Sequence, residues 1–438
     1  MKLIYAMDEY GPHGPIPNSI GMNHYEHISH YYKTPIAKGM TYFYLPEIHI
    51  SLGLDHLYAH HSDIVRNLDY YTEEGTIVYI INIHHNIKYN ASLYYGSGRG
   101  AWIEYIPKNI IKLWEQGNCK IIISHNWANC EAQVIDGIFS LFYKEFKTCR
   151  DVYVWSTSIY SPEVLSIIDS KYLKNLIHLP YAEMWSLKNL PPYQQTKCEK
   201  DKKFIKLSRR YTLDRLISHV TFTKDDLNKY GFVSMPEKCT SSNLSLIDYI
   251  KQTYKNEEWV KVVDEIDLQS ATLDQSALID RERNSYSSSW MGFGNKENLA
   301  EYYDRSYFSI VSESRFADSS DPSAGTFYTE KIMRAMLYEH PFLLQSVPYA
   351  LEHLKLAGYK TFDKFWNEDY DMIINHTDRA LKITEIVKDI CQNKDLDSMS
   401  KEWADIVTHN KNHVYNRVAD FKNYLEGLKN EKSISDGT

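Results

Sequence analysis

The sequence predicts an α/β protein of two Rossmann-like halves facing each other across a cleft, with a helical C-terminal tail. Short β-branched and apolar runs recur along the chain, and most are followed by a stretch with helical spacing. The runs are apolar throughout rather than alternating, as in a parallel sheet covered on both faces. A polar stretch over 188–203, holding Pro191 and Pro192, separates two such blocks and reads as an interdomain linker.

The first block opens with a strand over 2–7 that runs into the turn-rich Gly11-Pro12-His13-Gly14-Pro15. A strand over 76–83, a helix around 110–114, a strand over 120–124 and a helix over 131–143 follow. A strand over 151–155, a helix opening at 162–168 and a strand over 175–179 complete a first domain, 1–190. The second block starts with a strand over 204–207, a helix over 212–229 and a strand over 232–235. The polar region 236–295, with weak helical spacing at 246–263, reads as an insertion. Regular pattern returns with a strand over 307–312, a helix over 329–338, a strand over 341–344 and a helix over 349–356. Gly358 suits the left-handed residue that closes that last helix. The second domain thus spans 203–379, and 380–438 forms the tail, with Ala380, Ile383, Ile386, Val387 and Ile390 at helical spacing.

A chain of 438 residues with 43% hydrophobic and 24% charged side chains has the composition of a soluble globular protein. Its apolar runs are too short to cross a bilayer, and its first strand meets Asp8 and Glu9 at once, unlike a signal peptide. Six cysteines without a CxxC read as reduced thiols, and the expected location is cytoplasmic. A net charge of −8 supplies no global field for nucleic acid or an anionic membrane, so a polyanionic partner needs a local basic cleft. The pairs His60-His61 and His84-His85 lack a third ligand at metal-binding spacing, and no metal site is expected.

The chemistry concentrates between Tyr307 and Asp371. The strand over 307–312 delivers Glu313 to its carboxyl end, where open α/β sheets bind ligands. A Ser-, Asp-, Pro- and Gly-rich loop then precedes Thr329-Glu330-Lys331 on the first turn of a helix. Free backbone N–H groups there suit a diphosphate. Glu330 offers two acceptor oxygens to the hydroxyls of a ribose, and Lys331 a point charge to a phosphate. Arg209, Arg210 and Arg215 follow a strand and open a helix, as a phosphate clamp would. On residue types alone, the same stretches also read as an acidic helix start and a solvated basic surface.

Phe308-Ser309-Ile310-Val311-Ser312-Glu313-Ser314, Tyr328-Thr329-Glu330-Lys331 and His340-Pro341-Phe342 resemble the donor domain of the α1,3-fucosyltransferases. Leu354, Gly358-Tyr359-Lys360-Thr361-Phe362 and Asp369-Tyr370-Asp371 resemble a group of glycosyltransferases common in phages and large viruses. An AT-rich coding genome, suggested by 36 tyrosines with plentiful Ile, Lys and Asn, fits such a source. The resemblance covers roughly 203–379. It implies a GT-B fold and inverting transfer from a nucleotide-sugar donor, with Glu330 on the ribose and Lys331 on the diphosphate. It also implies that Arg210 and Arg215, with Arg209 as a substitute, contact the diphosphate. Ser314 departs from the asparagine usual in the fucosyltransferases.

Inverting transfer needs a base to deprotonate the acceptor hydroxyl. Asp8, Glu9 and His13, in the loop after the first strand, are the candidates, with Asp63 and His125 also possible. Asp369-Tyr370-Asp371 spells DxD but lies beyond the donor helix, so transfer without metal or other cofactor is expected. The glycine-rich 94–102 suits an acceptor loop. The acceptor is either a glycan or a hydroxymethylated base of duplex DNA, the latter needing a basic stripe such as Lys88, Arg99, Lys108 and Lys112. A different reading is a catalytically silent nucleotide-sugar or nucleic-acid binding module. Oligomeric state is left open.

Overall fold

The computed structural model describes residues 2–7, 9–11, 14–16, 18–20, 52, 54–83, 106–125, 132–190, 193, 198–208, 210–238, 244–270, 296–316 and 325–430. The chain begins with β1 (Lys2–Met7), the antiparallel pair β2 (Glu9–Gly11) and β3 (Gly14–Ile16), and β4 (Asn18–Ile20). It continues through β5 (His56–His60), α1 (His61–Arg66), α2 (Leu68–Glu74), β6 (Gly75–Ile83), α3 (Lys108–Glu115) and β7 (Cys119–His125). Then come α4 (Ala132–Phe146), β8 (Val152–Ser156), β9 (Ser158–Ile159), α5 (Pro162–Leu165), β10 (Leu176–His178) and α6 (Tyr181–Asn189). The first sheet has the order β10-β8-β7-β6-β1-β5, with β4 beside β6 and every pair parallel.

The unbroken apolar runs follow from burial on both faces. Ile4, Ile77, Tyr79, Ile121 and Ile123 face a core shared with α3 and α4. The alternate residues Leu3, Tyr5, Val78, Ile80 and Ile122 face Met184 and Trp185 of α6, and Phe421, Leu425 and Leu428 near the end of the chain.

The second sheet follows with β11 (Lys202–Leu207), α7 (Leu213–Lys224), β12 (Gly231–Ser234), α8 (Leu246–Thr253), α9 (Lys296–Asp304) and β13 (Ser306–Ser312). After β14 (Thr326–Phe327) come α10 (Glu330–Leu337), β15 (Phe342–Gln345) and α11 (Ala350–Leu356). The chain ends in α12 (His376–Asn393), α13 (Leu396–Glu402) and α14 (Ala404–Asn430). Four parallel strands run in the order β12-β11-β13-β15. Two parallel Rossmann-like sheets with a helical tail make the GT-B layout. The two are tied by β9 and β14, which pair antiparallel, Ile159 opposite Thr326. Because β9 follows the carboxyl end of β8, this pairing brings the carboxyl sides of both sheets toward one another.

Several expectations are corrected. The helix over 212–229 stops at Lys224, and Asp226 takes a left-handed conformation before β12. The stretch 188–203 is anchored where it is described: Leu190 is buried, the Tyr193 hydroxyl donates to Asp304, and its ring stacks 4.5 Å from Tyr338. Lys200 Nζ donates to Ser306 O at 2.6 Å. The tail is helical as expected, and it packs on both cores: α12 buries Ala380, Ile383, Val387 and Ile390 against the second sheet, and Phe421, Leu425 and Leu428 of α14 lie against the first. His60 ends β5 and caps α1, its Nδ1 accepting from Ser62 N at 3.2 Å.

Candidate functional site

In the second sheet the chain passes from β11 to β12 on one side, then returns to place β13 on the other. The loops leaving β11 and β13 therefore diverge, and the gap between them is where parallel sheets take ligands. From β11 comes the arginine segment. Arg210 is exposed, whereas Arg215, on the first turn of α7, is buried and donates from Nη2 to Ser312 O at 2.9 Å. Its guanidinium is thereby held at the carboxyl end of β13. Burial pulls the Arg215 pKa down, against the opposing charges of Asp214 and Glu313. Among the described residues, Arg215 Nε and both carboxylate oxygens of Asp214 are buried without a hydrogen-bond partner.

From β13 comes Glu313, 1% exposed. It accepts from Thr329 N at 3.2 Å, from the Thr329 hydroxyl, and from Ser314 N at 3.3 Å. Thr329 is the N-cap of α10, its hydroxyl accepting from Lys331 N at 3.4 Å. Lys331 Nζ donates to Thr329 Oγ1 at 2.9 Å, Ser314 Oγ at 3.0 Å and Glu330 Oε1 at 3.0 Å. Burial pushes the Glu313 carboxyl up, partly offset by Lys331. Burial also pushes Glu330 up, but the adjacent Lys331 outweighs it and holds that carboxyl at about 2. Glu330 is thus an ionised acceptor, and it sits side by side with the Lys331 ammonium at the capped first turn of α10.

The structure brings Arg215, Glu313, Thr329, Glu330 and Lys331 together, with Arg210 on the adjoining loop. Arg209 and the loop 317–324 lie outside the described residues, as do Asp8, His13, the pair His84-His85, Lys88, Arg99 and the loop 94–102. Glu9 is described only as backbone of β2, and the side chain of His125, at the end of β7, is likewise outside. Asp63 sits on α1, half exposed and 3.6 Å from Arg66. In the first sheet the order reverses between β1 and β6, so the segment after Met7 leaves from that sheet's own switch point.

Asp371 is a helix cap: its carboxylate accepts from Leu351 N at 3.0 Å and Glu352 N at 3.2 Å. Asp369 accepts from Asn367 Nδ2 at 3.0 Å and is exposed. Among the described residues no three His, Cys, Asp or Glu side chains gather as a metal site would require.

Sequence reasoning missed Lys206 and Arg379. Lys206 is buried beside Asp214 and Arg215, and burial pulls its ammonium down to about 7. A lysine inside the apolar run Phe204-Ile205-Lys206-Leu207 was the available signal. Arg379 is 1% exposed and donates to Ser346 O at 3.1 Å, to Ile374 O at 3.1 Å and to Phe316 O, thereby fixing the start of the loop after Glu313.

No family model and no curated protein matches this sequence. Among solved structures, the chain is similar to the DNA-modifying enzyme β-glucosyltransferase, described with and without uridine diphosphoglucose. The TM-score is 0.38 at 10% identity, over 98% of this chain and 100% of that one. A point mutant of T4 phage BGT with UDP-glucose gives 0.35 at 10% identity, and T4 phage BGT with UDP and Mn2+ gives 0.33 at 11%. Both cover 98% of this chain and 100% of theirs. Likeness at this level fixes no substrate and no residue role.

Proposed function

We propose that the protein is an inverting glycosyltransferase, moving a sugar from a nucleotide-sugar donor to an acceptor hydroxyl. The observation that carries this reading is the convergence of Arg215, Glu313, Thr329, Glu330 and Lys331 at the switch point of the second sheet. The unit 203–379 takes the donor. Glu330 accepts from the ribose hydroxyls. Lys331, Arg210 and Arg215, with Arg209, bind the diphosphate, whose negative charge grows as the glycosidic bond breaks. Glu313 positions Thr329 and Lys331. The unit 1–190 takes the acceptor, with the general base among Asp8, Glu9 and His13.

The acceptor is a glycan or a hydroxymethylated base of duplex DNA. Lys108 and Lys112, both exposed on α3, are available to DNA phosphates. The reaction proceeds without a metal, its leaving-group charge met by lysine and arginine. A thermal-shift screen across UDP-, GDP- and CMP-sugars should single out one donor, since a ligand of the native state raises Tm. That donor should then be hydrolysed slowly in water. Binding without hydrolysis or transfer would favour the silent binding module, and no shift with any donor would sink both. Activity lost in EDTA and restored by manganese would overturn the metal-free step.

A further inference from the structure

Five described residues other than glycine hold a positive φ: Lys147, Asp151, Asp226, Glu339 and Tyr349. The first four lie in turns that lead into the amino end of β8, β12 or β15. Tyr349, at φ 64° and ψ 13°, lies at the opposite edge, between the carboxyl end of β15 and the first residue of α11. The left-handed region disfavours any side chain with a Cβ, and strain of this kind gathers where a residue must be presented to a ligand.

The surroundings hold Tyr349 in that conformation. Its N–H donates to Asp371 O at 2.8 Å, while the Asp371 carboxylate takes two amides of the first turn of α11, Leu351 N and Glu352 N. Upstream, Ser346 O is bound by Arg379, which also binds Phe316 O. Glu313 N donates to Gln345 O at 2.9 Å, so the turn that carries Tyr349 starts directly beside Glu313. The ring itself is half-buried. It stacks on no described aromatic residue, and its hydroxyl makes no hydrogen bond among the described residues. The backbone is fixed on both sides, and among the described residues the side chain is uncommitted.

We propose that Tyr349 is a further binding residue of the candidate site, presenting its ring to a ring of the bound nucleotide-sugar, either the transferred sugar or the base. The proposal rests on the nucleotide-sugar reading of that site. Isothermal titration of the full chain with UDP, UDP-glucose, GDP and GDP-glucose tests both. Tyr349→Gly should keep or raise Tm, since glycine takes φ 64° freely, yet weaken the best ligand roughly tenfold or more, the loss of one stacking contact. Tyr349→Asn, which also tolerates the left-handed region, should show the same loss, and Tyr349→Phe should bind like wild type. A loss confined to the glucose conjugates assigns the ring to the sugar, and an equal loss for the bare diphosphates assigns it to the base. Wild-type affinity in both the Gly and Asn variants would overturn the role of Tyr349 alone. A wild-type chain that binds none of the four would overturn the reading of the site, and this proposal with it.

Discussion

The Thr329 hydroxyl donates its single proton to Glu313 and accepts from both the amide and the ammonium of Lys331. One small side chain therefore caps a helix, satisfies a buried carboxylate and orients a cation, using its full donor and acceptor capacity. Thr329→Val keeps the shape and removes all three bonds. It should cost about 2–4 kcal/mol in urea unfolding, combining a lost cap with the loss of one of the three hydrogen bonds to the buried Glu313 carboxylate; a change within error would show that neither bond matters to the fold. Glu330→Ala and Lys331→Ala should each weaken the donor about 10–100-fold, as charged hydrogen bonds do. Titration calorimetry checks this, and unchanged affinity in both would defeat the assignment. At this scale the sequence was informative, because Thr329-Glu330-Lys331 sit contiguously after a strand and a polar loop. Asp214 was not legible, since its burial depends on how α7 packs over β11, and Lys206 left only the mark of a lysine inside an apolar run.

At the scale of the element, the segment Gly358-Tyr359-Lys360 shows what a motif can conceal. Its residues resemble those of phage glycosyltransferases, yet here its backbone is the seat of α14. His413 meets Ala357 O at 2.7 Å, His409 meets Gly358 O at 2.9 Å, and Asn410 bonds both the N–H and the C=O of Lys360 at 2.8 Å. Gly358 has φ +92°, and a Cβ there would stand 2.6 Å from His413 Nε2. Gly358→Ala should therefore destabilise by about 1–2 kcal/mol from the conformation alone, with further loss if His413 is displaced. A Tm equal to wild type would contradict this. The strands over 2–7, 76–83, 120–124, 151–155, 175–179, 204–207, 232–235, 307–312 and 341–344 were legible to within a residue or two, because both faces of each sheet are apolar, whereas β4 and the edge strand β5 were not. The end of α7 was not, because Asp225 and Asp226 look no different in sequence from solvent-facing helical residues. The docking of α14 was equally hidden, since backbone acceptors leave no mark on residue type.

For the whole molecule, the junction of the two sheets depends on Arg417. Its Nε donates to Glu183 Oε1 at 3.0 Å, its Nη2 reaches His178 Nδ1 at 2.7 Å, and its Nη1 donates to Ala357 O at 3.1 Å. Tyr359 OH adds a bond to the same Glu183 oxygen at 3.0 Å. Arg417→Met leaves a buried carboxylate without its cation and should cost about 3–5 kcal/mol. Hydrogen exchange should then rise along α14; wild-type protection there would count against the junction. Acid should act on the whole fold as well. Burial pulls the imidazoles of His178, His219 and His353 down to about 4 and that of His340 to about 3. An unfolded histidine takes its proton near pH 6.5, whereas these stay neutral in the fold. Their contribution is therefore complete above about pH 6.5 and is lost as pH falls toward 4, by up to about 1.4 kcal/mol per pH unit for each ring. Urea midpoints that stay level from pH 7 to 5 would refute it.

The packing of Phe421, Leu425 and Leu428 against Leu3, Tyr5 and Val78 has a consequence in time. The strands β1, β6 and β7 are made early, but part of one face of their sheet is closed by residues that are made much later. About 300 residues separate β7 from that closing helix, roughly fifteen seconds to a minute of translation at ordinary rates. Once α6 is made, Met184 and Trp185 cover part of the face of β1, β6 and β7, and the share that belongs to Phe421, Leu425 and Leu428 stays open for the rest of that interval. The newborn chain therefore passes through a stage in which part of its first core is a sticky surface, and a stop codon placed before Phe421 should yield a product that aggregates.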